Sequence, residues 1–119
     1  MGSILVVDDD PAAAKLLELA LARQGHQVEV ARDVSSGKKA VRAGHHDLMI
    51  LDVFMPDGSG LDLLRYLRGE LGSATPVLVL TGHRQEDFLA RAEAAGATGY
   101  FTKPFRLQEL LAEVARLTG

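Results

Sequence analysis

Residues 3–17 read SILVVDDDPAAAKLL: a short apolar run, three aspartates, a proline, then apolar residues at helical spacing. An apolar run without polar alternation marks a strand buried on both faces, as in a parallel sheet. Pro11 suits the first position of a helix, and Asp10 before it reads as the N-cap, its carboxylate accepting a helix N–H at the positive end of the dipole. A buried strand therefore passes directly into a helix. Asp8 and Asp9 are left at the carboxyl end of the strand, where adjacent negative charges repel more strongly as solvent is removed. A cation is the natural remedy.

The same unit recurs along the chain. QVEVA (27–31), DLMIL (47–51), PVLVL (76–80) and TGYFT (98–102) read as further strands, separated by segments with helical periodicity such as Leu16, Leu17, Ala20, Leu21 and, near the end, Leu107, Leu110, Leu111, Val114, Leu117. Five alternations of strand and helix predict an α/β fold, with parallel strands joined by right-handed crossovers and helices covering both faces. Glu29 within QVEVA fits an edge strand. Gly25, Gly44 and Gly96 each follow a helical stretch, as C-terminal caps do. Ser59 followed by Asp62 reads as an N-cap with its third-position acid, and Asp57, in PDGSG, as a turn residue.

With 119 residues the chain is expected to form one domain, spanning residues 1–119. The net charge of −3 is mild and the thirteen Lys and Arg are dispersed, so no nucleic-acid footprint is expected; the densest basic stretch, GKKAVR, reads as a solvated helix face. There is no cysteine, which excludes disulfides and thiolate metal sites. No apolar stretch approaches the ~20 residues of a membrane span, and the first strand begins too early for a signal peptide, so the expected location is the cytoplasm.

In an open parallel sheet, ligands bind at the carboxyl ends of the strands. Asp8 and Asp9 follow the first run, Asp52 the third, Thr81 and Gly82 the fourth, Lys103 and Pro104 the fifth; the second is followed only by Arg32 and Asp33. Four strands thus deliver polar groups to one edge. Three carboxylates with no softer donor suit a hard divalent ion, Mg²⁺ or Mn²⁺, which keeps waters and leaves room for a phosphoryl oxygen. Thr81 and Lys103 supply a hydroxyl and a point charge for phosphoryl oxygens, and Asp52 is a candidate nucleophile because carboxylates form acyl phosphates. His26, His45 and His46 fall in connections at the opposite end of the sheet.

With VVDDD, DLMILDVFMPDGSG, VLVLTG and GYFTKPF in this order and spacing, the chain resembles the response-regulator receiver domains of two-component (phosphorelay) signalling over its whole length. The resemblance implies a doubly wound, flavodoxin-like sheet of order 2-1-3-4-5. It implies that Asp52 is the phosphoacceptor, Asp9 a direct Mg²⁺ ligand, Asp8 a ligand mainly through water, and the Phe54 carbonyl a further ligand. Thr81 would follow the phosphoryl group, Lys103 would pair with it, and Tyr100 would be the aromatic switch of a face formed by the fourth helix, fifth strand and fifth helix. Phe54, Gly82 and His83 would tune the lifetime of the acyl phosphate, and the Lys103–Pro104 bond would be cis.

The implied protein is a regulatory phosphoacceptor rather than an enzyme acting on other substrates. Its expected partners are a sensor histidine kinase or phosphotransfer protein and a downstream target, with no membrane and no direct nucleic-acid contact. Two rival readings are a small Mg-dependent aspartate-nucleophile phosphatase of haloacid-dehalogenase type, and a degenerate receiver that binds partners without phosphorylation. The first predicts a second Asp two residues after the nucleophile, on the first strand; here Phe54 stands two after Asp52, on the third.

Overall fold

In a computed structural model, which describes residues 2–82 and 86–119, five strands form one parallel sheet: β1 (Ser3–Val7), β2 (Gln27–Ala31), β3 (Leu48–Asp52), β4 (Val77–Thr81) and β5 (Gly99–Thr102). Their order is β2-β1-β3-β4-β5, the expected doubly wound arrangement. A short antiparallel hairpin, Phe54–Met55 paired with Gly58–Ser59, follows β3.

The third and fourth strands begin and end one residue later than their apolar runs. Pro76 has no N–H and serves only as an acceptor, for the Met49 N–H at 2.9 Å. At the other end Asp52 is opposite Leu80, and Thr81 opposite Thr102, so the polar residues are the last members of the ladder instead of the first beyond it. Their backbones are held by the sheet.

The alternation of side chains along each strand divides the apolar residues between two cores. Ile4, Val6, Leu48, Ile50, Leu78 and Leu80 pack with Leu17 and Leu21 of α1 (Pro11–Arg23) and with Leu110 and Val114 of α5 (Leu107–Thr118). Leu5, Val7, Met49, Leu51, Val77 and Val79 pack on the opposite face with α2 (Val34–Ala43), α3 (Gly60–Arg65) and Ala92 of α4 (Glu86–Ala94). Among the described residues, no helix is long and apolar enough to cross a membrane.

Helix α3 runs on into a π turn, Tyr66–Glu70. There Arg68 donates to the carbonyls of Ser73 (3.0 Å), Thr75 (2.7 Å) and Gly96 (2.9 and 3.2 Å), tying the loops before β4 and β5 together. Of the three glycines expected to end helices, Gly25 and Gly96 take the left-handed conformation, with φ of 94° and 102°. Gly44 differs: its backbone is extended, and its N–H closes α2 by bonding the Ala40 carbonyl at 3.2 Å.

Candidate functional site

The carboxyl ends of β1, β3, β4 and β5 meet in one acidic cleft. Asp8 leaves β1 with its N–H still bonded to the Ala31 carbonyl of β2 at 3.0 Å, which fixes its Cα, and its side chain is fully buried. One carboxylate oxygen accepts the Asp10 N–H at 3.0 Å and the other accepts from Lys103 Nζ at 3.1 Å. Asp52 is buried at the end of β3, its Oδ2 3.2 Å from the same Nζ and its Oδ1 3.4 Å from the Phe54 N–H. Asp9, between Asp8 and Asp10, is exposed.

Carboxylate oxygens of Asp8, Asp9 and Asp52 all lie within 4.8 Å of one another, the one such cluster of metal-capable side chains among the described residues. Three carboxylates thus cluster here, and Lys103 contacts two of them, Asp8 and Asp52. Burial pushes the Asp52 carboxyl above the usual carboxylate range, the nearby Asp8 charge adds to the shift, and Lys103 opposes it. For Lys103, burial works to lower the pKa of the ammonium, but the combined pull of Asp52 and Asp8 outweighs it and the net shift is upward. A cleft with excess negative charge and only oxygen donors fits a divalent cation of the Mg²⁺ type. Both oxygens of Asp8 are already engaged, whereas Asp9 offers a carboxylate at the rim.

Thr81 is fully buried at the end of β4, and its carbonyl accepts the Lys103 N–H at 2.7 Å, which ties Lys103, just past the end of β5, to the neighbouring strand. The Lys103–Pro104 peptide is cis, as the resemblance implies. Tyr100 stands on the edge strand β5 with 52% of its surface exposed, and Phe54 beside the cleft is 51% exposed. Gly82 is exposed, and a Cβ there would meet none of the described residues within 4 Å; His83 lies outside the described residues.

Asp10 is the N-cap of α1, accepting the Ala12 N–H at 3.0 Å, with Pro11 in the first helical position. Ser59 caps α3 through the Leu61 N–H at 3.1 Å, with Asp62 in the first turn, where it pairs with Arg65 at 3.3 Å. Asp57 lies in the expected turn, at the tip of the hairpin, and its carboxylate also accepts the N–H groups of Val34 and Ser35 at the start of α2. Sequence reading passed over Gly60, where a Cβ would collide with the Asp52 carbonyl oxygen and press on Val53. A glycine directly after a helix-capping serine, close behind a candidate nucleophile, was the available signal.

Two of the described histidines sit elsewhere: buried His46 meets Glu29 at 2.9 Å and exposed His45 meets Asp47 at 3.5 Å, at the amino end of the sheet.

The open parallel sheet and the lysine-bridged acidic cluster at its strand ends define a doubly wound α/β protein with an acidic site at the carboxyl edge of the sheet. The family model described as "Response regulator receiver domain" matches residues 4–115, and the chain belongs to that family. It is 38% identical over 115 residues to the probable transcriptional regulatory protein TcrX of Mycobacterium tuberculosis, covering 97% of this chain and 49% of TcrX. It is 40% identical over 114 residues to the response regulator MprA of the same species, covering 96% and 49%. The chain spans about half the length of these curated relatives. Among solved structures, the receiver domain of the Francisella response regulator 1452 superposes with a TM-score of 0.93 at 28% identity, covering 99% of this chain and 97% of that one. The chemotaxis response regulator CheY4 of Vibrio cholerae gives 0.91 at 30% identity, covering 98% of both chains.

Proposed function

We propose that this receiver accepts a phosphoryl group on Asp52, from a phosphohistidine of a sensor histidine kinase or phosphotransfer protein or from a small acyl phosphate. The observation that carries this reading is the buried Asp52 carboxylate at a strand end, bridged with Asp8 by Lys103. An Asp52 oxygen forms the new bond to phosphorus as the bond from phosphorus to the donor nitrogen or oxygen breaks, and the leaving group departs in line. Lys103 exchanges part of its contact with the two carboxylates for the incoming phosphoryl oxygens. Asp8, Asp9, Asp52 and the Phe54 carbonyl would hold Mg²⁺, or Mn²⁺ in its place, with Asp8 acting mainly through water. When bound, that ion supplies charge neutralisation for the carboxylates and the phosphoryl oxygens.

The switch follows from the same contacts. A phosphoryl group on Asp52 gives the Thr81 hydroxyl a new acceptor, and movement of Thr81 opens space toward which Tyr100 turns from its exposed position, altering the α4-β5-α5 face. Moving such an equilibrium from 1:99 to 99:1 needs ~5.5 kcal/mol of differential stabilisation, within reach of several charge-assisted contacts acting together. The partner that reads this face is a downstream target or effector domain; the domain works in the cytoplasm and does not itself contact nucleic acid. It catalyses only its own phosphorylation and dephosphorylation.

Binding of beryllofluoride with Mg²⁺, a mimic of the phosphoryl group, tests the assignment: wild type is expected to bind it and Asp52→Ala not, and equal binding by both would overturn the proposal.

The aspartate triplet divides into two ligands and a cap. Mg²⁺ is expected to raise the melting temperature, and Asp9→Ala to lose most of that rise. Asp10→Ala is expected to cost ~1 kcal/mol of stability while keeping Mg²⁺ binding. Identical responses of the two variants in melts with and without Mg²⁺ would contradict the division.

In this reading Phe54, half exposed and two residues after Asp52, hinders the water that hydrolyses the acyl phosphate. Phe54→Asn is therefore expected to shorten the phosphorylated lifetime, measured as loss of label after the donor is removed; an unchanged lifetime would reduce Phe54 to loop packing.

A further inference from the structure

The first N–H groups of a helix have no acceptor within the helix. In α2 the Ser36 N–H is met locally, by the N-cap Asp33 at 2.7 Å. Those of Val34 and Ser35 are met from a distance: Asp57 Oδ1 accepts the first at 2.8 Å and Oδ2 the second at 3.1 Å. Both oxygens of one carboxylate thus grip the positive end of α2, a two-point contact that sets orientation as well as distance.

Asp57 lies in the hairpin that joins β3 to α3, between Asp52 and Gly60. One end of that segment is fixed by β3, where the Val53 N–H bonds the Leu80 carbonyl at 3.3 Å. The other is fixed where the Gly60 N–H bonds the Val53 carbonyl at 2.6 Å, a closure that only glycine permits. Within the loop, Phe54 pairs with Ser59 and Met55 with Gly58, and the buried Met55 side chain anchors one arm. Asp57, in the turn, is the tie between this hairpin and α2. Phe54 belongs to the same hairpin.

We infer that Asp57 is a positioning residue: by clamping the hairpin to the amino end of α2, it holds the Phe54 carbonyl where the divalent cation is bound. The inference rests on the proposed cation site. Groups that orient a metal ligand without touching the metal change affinity by about tenfold or more when removed.

The test is Mg²⁺ titration by calorimetry of the full chain, at a temperature where circular dichroism shows every variant folded. Asp57→Ala removes the clamp from the loop side and also removes a charge. Val34→Pro removes one N–H from the helix side and keeps the Asp57 charge; proline suits the first helical position, and Asp33 before it is already extended, with φ −154° and ψ 174°. Both variants are expected to weaken Mg²⁺ binding, Asp57→Ala by about tenfold. Unchanged affinity in both, whatever their loss of stability, would overturn the inference and leave the cation site intact. Weakening in Asp57→Ala alone would also overturn it, by assigning the effect to charge. A wild type that binds no Mg²⁺ would refute the cation site itself, and this inference with it.

Discussion

Asp52→Asn is expected to take up no phosphoryl group and, in metal-free buffer, to be more stable than wild type. In the wild type two buried carboxylates share one lysine, Asp8 at 3.1 Å and Asp52 at 3.2 Å from Nζ. The isosteric amide removes one charge and leaves the Asp8–Lys103 pair intact. The folded state holds the Asp52 carboxyl above its unfolded value, chiefly through burial and then through Asp8. Below the ordinary carboxylate pKa of ~3.9 both states are protonated and the residue costs nothing. As pH rises past that value the unfolded chain ionises first, and wild-type stability falls until the raised folded pKa has been passed. The advantage of Asp52→Asn should therefore be small in acid, grow through the mildly acidic range and level off toward neutrality. Thermal melts in chelator across pH measure it; a difference independent of pH, or a less stable variant at neutral pH, would contradict the assignment of the strain to Asp52.

Lys103→Met is expected to slow phosphoryl uptake from acetyl phosphate on the order of 10²-fold, the effect of removing one preorganised donor from a site of developing charge. It should also destabilise the metal-free protein, because Asp8 and Asp52 lose the cation that both contact. Removing one partner of a fully buried ion pair costs roughly 3–5 kcal/mol. The Lys103 side chain is 27% exposed, so solvent screening reduces the expectation to ~1–3 kcal/mol. Mg²⁺ should restore part of that stability, since it neutralises the same carboxylates. Uptake at the wild-type rate would remove Lys103 from the proposed mechanism.

Much of this architecture is written in short-range pattern. The runs ILVV and VLVL, flanked by helical periodicities, are buried on both faces because apolar residues at both odd and even positions leave no face for solvent. The polar residues after them are legible as a site because strand direction in a parallel sheet sends every carboxyl end to one edge. Asp10 was readable as a cap because the capped N–H lies two residues away. Asp57 was not, because its partners lie 22 and 23 residues away, and no local pattern distinguishes an aspartate that shapes its own turn from one that caps another helix. Arg68 was hidden for the same reason: it satisfies three carbonyls from two loops and has no acidic partner to betray it. The one-residue displacement of β3 and β4 reflects ladder pairing between strands, which hydropathy alone does not record. The sheet order and the roles of individual site residues came from resemblance to a family, since alternation of strands and helices fits several windings.

The most direct measurement is to treat the wild-type chain with acetyl phosphate and Mg²⁺, reduce it with borohydride, which converts an aspartyl phosphate to homoserine, and locate the change by peptide mass mapping. One modified residue per chain, at position 52 and absent without Mg²⁺, is the predicted result. Modification at another residue, or an unmodified Asp52 at saturating donor, would contradict the account.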